Sequence, residues 1–293
     1  MSQTTASSLY QRHDGYLPRI AAVHDLCGYG NCSLGVAIPV LSAAGIDVCP
    51  VPTSLFSAHT GFANFYMHDT TSMLGAYLDA WKADGVDLDG VYSGFLGSAE
   101  QVAIIKRLYA EYPRALHIVD PVMGDGGAKY PTYTDEMCEA TKGLVADADV
   151  LTPNLTEASI LTGVAYSDQN PDDATVELLA NELLGMGAKS VILKGIVRDE
   201  KTIRNYVCTP GENGAQIDEV TSGLLPFMLH GTGDLYASGV TAAIFAGQPL
   251  EAAASFASQL VHDAMECSRH QPDYQVRGVS FEGVLGMVTA LLD

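Results

Sequence analysis

The sequence predicts an α/β fold in which a central, mostly parallel sheet is flanked by helices. Two features carry that expectation. Short β-branched apolar runs alternate with longer amphipathic ones, the pattern that repeated βαβ units leave in a sequence. The residues following each apolar run are polar or Gly-rich, as they are where parallel strands end on a ligand-binding rim.

The first strand is placed at 19–24 (RIAAVH), and others at 47–52 (DVCPVP), 89–93 (DGVYS), 116–120 (LHIVD), 149–152 (DVLT) and 190–194 (SVILK). Helices are expected near 33–45, 71–83, 98–111, 135–146, 155–162, 173–187, 234–246, 250–269 and 281–292. Residues 203–222 read differently: RNYVC and QIDEV flank a turn at Pro210-Gly211-Glu212-Asn213-Gly214, which predicts an antiparallel hairpin added to the sheet. With no internal repeat and no Pro/Ser-rich linker, the expected organisation is a flexible N-terminal tail at 1–18 and a single domain at 19–293.

Composition narrows the function. At 293 residues, 47% hydrophobic and 17% charged, the chain can bury a large core. Its formal charge of −20, with only 15 Lys and Arg, argues against nucleic-acid partners, because affinity for a phosphate backbone rests on those cations. A nucleotide ligand stays open, since a divalent cation can bridge carboxylates and phosphates. No run approaches the roughly 20 apolar residues of a membrane span. Residues 1–18 lack the apolar block of a signal peptide, which predicts a cytoplasmic protein without a membrane partner. Six cysteines are scattered without a C-x-x-C pair, so neither a zinc site nor a disulfide framework is expected.

Collected along the chain, the strand ends supply His24-Asp25 with Gly28-Tyr29-Gly30-Asn31, then Ser93-Gly94, then Asp120 through Gly127, then Thr152-Pro153-Asn154 with Glu157, and finally Lys194-Gly195. Strand ends of this kind converging on one rim make a site. Two Gly-containing turns compete for the phosphate-binding role. GYGNCSLG places Gly28 and Gly30 as a dinucleotide fingerprint does, but Ser33 stands where the third glycine belongs, so the turn reads equally as a simple strand-to-helix connection. HGTGDLYASGV at 230–240 is more informative. Gly231, Thr232 and Gly233 form a turn whose N–H groups can bind an anion, and Asp234 follows at a helix start. An acid there either offsets the helix dipole or serves as the base that takes a hydroxyl proton beside a bound phosphate.

HGTGD at 230–234, DPVMGDGG at 120–127, TPNLTEASILTG at 152–163 and LKG at 193–195 together resemble the motif series of the ribokinase-like superfamily. Within it, VHDLCGYGNCSLG at 23–35 and PTSLFSAHTGFAN at 52–64 resemble the pyridoxal/pyridoxine/pyridoxamine (vitamin B6) kinases, and the match runs from about residue 19 to the C-terminus. The resemblance implies a ribokinase-like three-layer sandwich and ATP-dependent phosphorylation of the 5′-hydroxymethyl group of a B6 vitamer. It makes Asp234 the base, with Gly231, Thr232 and Gly233 as the anion hole. It assigns Phe56, Ser57, His59, Thr60 and Phe95 with Asp25 to the vitamer. Asp120, Asp125, Tyr130, Asn154, Glu157, Lys194 and Gly195 are assigned to the nucleotide, with Asp120 and Glu157 about Mg2+. It also implies a homodimer and admits a monovalent cation such as K+.

The chain departs from the family where Asp25 replaces a common Ser, Ala58 an Asn and Phe95 a Tyr. Asp25 is therefore expected to favour an aminomethyl group or a protonated pyridine nitrogen. The rivals are a hydroxymethylpyrimidine or related small-alcohol kinase, an NAD-binding oxidoreductase built on GYGNCSLG, and a ligand-binding regulator without turnover.

Overall fold

The computed structural model describes residues 8–166 and 171–293; the first seven residues of the expected tail lie outside this range. The chain opens with β1 (Arg19–Cys27), α1 (Leu34–Ala43), β2 (Asp47–Phe56), β3 (Met67–Asp69), α2 (Thr71–Ala83), β4 (Gly90–Ser93), α3 (Ala99–Glu111) and β5 (Leu116–Val119). It continues through β6 (Gly124–Asp125), β7 (Ala128–Lys129), α4 (Asp135–Val145), β8 (Val150–Leu151), α5 (Leu155–Thr162) and α6 (Asp173–Gly185). It ends with β9 (Val191–Val197), β10 (Thr202–Gly211), β11 (Gly214–Gly223), α7 (Thr232–Phe245), α8 (Leu250–Ser268), α9 (Tyr274–Arg277) and α10 (Leu285–Thr289).

Nine strands form one sheet in the order β11-β10-β9-β8-β5-β4-β1-β2-β3. The six from β9 to β2 are parallel; β3 and the β10–β11 hairpin add antiparallel edges. Because the chain runs from β1 to β2 on one side and to β4 on the other, β1 is the switch point, and a crevice opens at its carboxyl end.

Alternate residues of each strand enter opposite layers, as the pleat requires. Val91, Val119, Leu151 and Leu193 pack with α2 to α6, whereas Tyr92, Ile118, Val150 and Ile192 pack with α1, α7, α8 and α10. Part of the expected tail is anchored: Tyr10 lies on Phe245 at 4.6 Å, and Arg12 Nη1 donates to Ala44 O at 2.9 Å.

Two regions differ from expectation. The helix expected over 281–292 is instead α10 between two 3-10 turns, since Gly283 and Gly286 weaken the helix where it should nucleate. The glycine run of 124–127 forms its own small hairpin, β6–β7, with Gly126 (φ 57°) and Gly127 (φ 81°) at the positive angles that a two-residue turn demands.

Candidate active site

Side chains cap four of the five helices on one face of the sheet, α2 being the exception. Ser98, Thr134, Asn154 and Asp172 each accept an N–H from the first turn of α3, α4, α5 and α6. On the opposite face α7 starts at Gly231, in the left-handed region at φ 80°, with no side-chain cap. Its first N–H groups have no intrahelical partner and face the rim. Gly231 is required there because a Cβ would stand 2.0 Å from Asn31 O.

Asp234 sits in this first turn. Its carboxylate keeps a partial opening to solvent, yet the protein around it pushes its pKa up to about 7. Burial is the main cause; the Ser33 N–H and Lys194 oppose it, while Asp120 and Asp25 add to it. A carboxylate so tuned is an effective base near neutral pH.

On the nucleotide side, Lys194 Nζ donates to Asp120 Oδ1 at 2.5 Å, and both are buried. Burial works against the Lys194 ammonium, but attraction from Asp120 and Glu157 outweighs it and raises its pKa. Burial likewise raises Glu157, to about 8. The two Glu157 oxygens accept from Asn154 N at 2.8 Å and Met123 N at 3.3 Å. Asn154 returns the cap through Oδ1 to Glu157 N and donates from Nδ2 to Gly124 O at 2.9 Å. Both side chains therefore build the α5 end and the root of the β6–β7 flap. Gly127 N also donates to Thr156 Oγ1, while the exposed Asp125 carboxylate accepts from its neighbour Gly126 N. Tyr130, at the end of the flap, has its hydroxyl pKa raised by burial and by Glu157, Asp125, Asp234 and Asp120, so it leans over the acidic rim. Gly195 (φ 76°) is exposed beyond Lys194 and donates its N–H to Asn205 Oδ1.

Phe56, Phe95 and Tyr133 form an edge-to-face row with centroids 6.0 and 5.8 Å apart, an aromatic cluster in the core below the rim. Asp25 is 5% exposed, and among the described residues no Lys or Arg pairs with it; Cys27 Sγ donates to its Oδ2 at 3.3 Å, and the Ser33 hydroxyl also favours its ionised form. Burial raises its pKa.

Two of the residues assigned to the vitamer, His59 and Ser57, also make hydrogen bonds within the protein. His59 Nε2 is 2.9 Å from Val276 O and its Nδ1 accepts from Gly61 N, so both ring nitrogens are engaged within the protein. Ser57 closes the 57–66 loop, its N and Oγ bonding Tyr66 O and N. Thr60 is exposed. GYGN is likewise committed, with Gly28 N donating to Phe56 O and Asn31 N to Arg277 O, which leaves those amides no pyrophosphate to bind.

Tyr133 and the 276–279 segment are contributors the sequence does not single out, and Ser33 stands out there only as a missing glycine. Ser33 is one of two non-glycine residues at positive φ among the described residues (φ 51°, ψ −128°). Its N–H favours the ionised form of Asp234 and its hydroxyl that of Asp25, so it stands between the base and the vitamer side. The position where a dinucleotide fingerprint wants glycine thus does adopt a glycine-like backbone, set between two carboxylates.

A mostly parallel sheet whose rim ends at an uncapped helix behind Gly-Thr-Gly-Asp defines the ribokinase-like class of α/β proteins. The chain belongs to the family described as phosphomethylpyrimidine kinase, whose model matches residues 38–278. It is 32% identical over 267 residues to the pyridoxine/pyridoxal/pyridoxamine kinase of Bordetella avium, covering 85% of each chain. A Bacteroides thetaiotaomicron protein described as a phosphomethylpyrimidine kinase, crystallised with pyridoxal, superposes with a TM-score of 0.88 at 32% identity over 93% of this chain and 96% of its own. The pyridoxal kinase of Lactobacillus plantarum gives 0.86 at 28% identity, over 94% and 98%. Among the described residues no helix is long and apolar enough to cross a membrane.

Proposed function

We propose that this protein transfers the γ-phosphoryl group of ATP to the 5′-hydroxymethyl group of a vitamin B6 vitamer, as a pyridoxal kinase. The observation that carries this reading is Asp234, its pKa near 7, in the first turn of an uncapped helix, with Ser33 between it and the vitamer side of the rim. The pyridine ring lies against Phe56 and Phe95, with Asp25 directed to its polar substituents. The 5′-hydroxyl stands roughly 3 Å from Asp234, which accepts its proton as the oxygen attacks phosphorus. The Gly231, Thr232 and Gly233 amides hold the charge on the transferring group. Lys194 completes the anion-binding wall: a Cβ on Gly233 would lie 3.8 Å from its Nζ.

Asp120 and Glu157 form a surplus of buried acid beside one lysine, and they fit Mg2+. Neither belongs to a close group of three protein ligands among the described residues, which suits an ion that keeps its waters and meets carboxylates through them. When bound, the ion neutralises charge on the β- and γ-phosphates. Asp125, Asn154, Tyr130 and Gly195 shape the nucleotide pocket and its flap, and a monovalent cation would supplement Mg2+ there. His59, Ser57 and Thr60 set the loop that borders the vitamer. The reading includes a homodimer, an expectation that rests on the resemblance, acting in the cytoplasm.

The family description favours one rival, phosphorylation of a hydroxymethylpyrimidine. Phosphate transfer from ATP to pyridoxal, pyridoxine, pyridoxamine and the pyrimidine, compared by kcat/KM, separates the two; a higher value for the pyrimidine overturns the vitamer reading. The Asp234→Asn variant is expected to retain ATP binding in calorimetry and to lose turnover about 10²–10⁴-fold. Near-full activity in that variant removes Asp234 as the base.

A further inference from the structure

Nothing in the phosphoryl-transfer chemistry uses Cys27 and Cys32, yet the β1–α1 loop brings them together with Asp25. One carboxylate oxygen and the two sulfur atoms all lie within 4.8 Å of one another. Cys27 Sγ is 3.3 Å from Asp25 Oδ2. The 3.3 Å sulfur–oxygen separation is close to the edge of a tetrahedron whose centre is about 2.0–2.3 Å from oxygen and sulfur ligands, and Cys32 Sγ lies within 4.8 Å of the Cys27 sulfur and an Asp25 carboxylate oxygen. Both cysteines are 9% exposed, and among the described residues no Lys or Arg pairs with the buried Asp25.

We propose that Asp25, Cys27 and Cys32 form a binding site for a thiophilic divalent cation of the zinc class, with the fourth coordination position open toward the vitamer side of the rim. Binding forms two metal–sulfur bonds and one metal–oxygen bond and releases both thiol protons. With Asp25 ionised beforehand, the net charge of the site is −1 before and after, so the cation adds no charge to the pocket. Two sulfurs select zinc or cadmium over magnesium, which prefers oxygen ligands. Bound cation engages Asp25, so occupancy competes with the vitamer; this last consequence rests on the proposed kinase reading.

The test uses the full chain without nucleotide or vitamer, so it stands or falls apart from kinase activity. Titration with Co2+ is expected to give a sulfur-to-metal charge-transfer band that saturates at one ion per chain. Zn2+ should displace the cobalt and shield Cys27 and Cys32 from alkylation, as read by mass spectrometry on the unmutated protein. Cys27→Ser and Cys32→Ser should abolish the band, Asp25→Asn should weaken binding about 10-fold or more, and Cys49→Ser should leave it intact. The proposal is overturned if no thiolate band forms, if the band survives both serine variants, or if Zn2+ leaves the two thiols as reactive as before.

Discussion

Asp120 and Asp25 are both buried carboxylates flanking Asp234, exposed by 2% and 5%, and they are stabilised in opposite ways. Asp120 has an ammonium at 2.5 Å. Among the described residues, Asp25 has only a thiol, a hydroxyl and the N–H of its own backbone. A paired buried charge depends on its partner, whereas an unpaired one is a standing cost retained for what it binds. The comparison assigns different work to chemically identical groups: the Asp120 side holds the phosphate end, and the Asp25 side waits for a cationic or hydrogen-bonding ligand.

Removing one charge on each side should therefore move stability in opposite directions, and the larger effect is on the paired side. Lys194→Met leaves Asp120 and Glu157 buried without a counter-charge. A loss of about 3–5 kcal/mol in urea unfolding is expected, as for other broken buried pairs. The double variant Lys194→Met/Asp120→Leu should recover much of it. An unchanged midpoint in the single variant would show that water already screens the pair and would dissolve the contrast.

Asp25→Asn should be neutral or stabilising at neutral pH. The folded pKa of Asp25 is raised above the ordinary carboxylate value of 3.8, so the stability it contributes is present below that value and lost as pH rises through the folded one. The gap between variant and parent should therefore widen from pH 4 toward pH 8. The same change removes a negative charge that raises Asp234. The ascending limb of kcat, expected near pH 7 because the ionised base is the active form, should move to lower pH. A limb unmoved in Asp25→Asn would separate the two carboxylates electrostatically.

How much of this arrangement the sequence discloses depends on the distance between the residues that make it. Asp234 and its glycine turn lie within five consecutive residues, and Asn154 and Glu157 form a cap four residues long; both are visible as local patterns. The parallel core strands and α2, whose observed bounds equal those expected, declare themselves by apolar period. The three residues of β3, MHD, carry no such pattern, and β6–β7 is too short to show one. The engagement of His59 depends on Val276, more than 200 residues away, and the Gly231 contact depends on Asn31 across a similar span. The meeting of Cys27 and Cys32 looks unremarkable in sequence because no metal motif has their spacing; it follows from a loop held by Arg277 and Phe56 carbonyls.

The smallest effect is expected at Ser33, the residue that stands between the two sides. Its backbone lies in a region that costs a non-glycine residue about 1–3 kcal/mol. Ser33→Gly relieves that strain but loses the hydroxyl that favours ionised Asp25 and gives the unfolded chain more freedom, worth roughly 0.5–1 kcal/mol. These terms oppose one another, so stability should stay within about 1 kcal/mol of the parent. Ser33→Ala keeps the strain and loses the hydroxyl, so it should be the less stable of the two variants in matched urea unfolding curves. Both keep the N–H that favours ionised Asp234, so the pH limb should remain in place apart from any effect through Asp25. If alanine proves as stable as glycine, the left-handed backbone costs nothing there, and Ser33 is a passive connection rather than a strained one set between two acids.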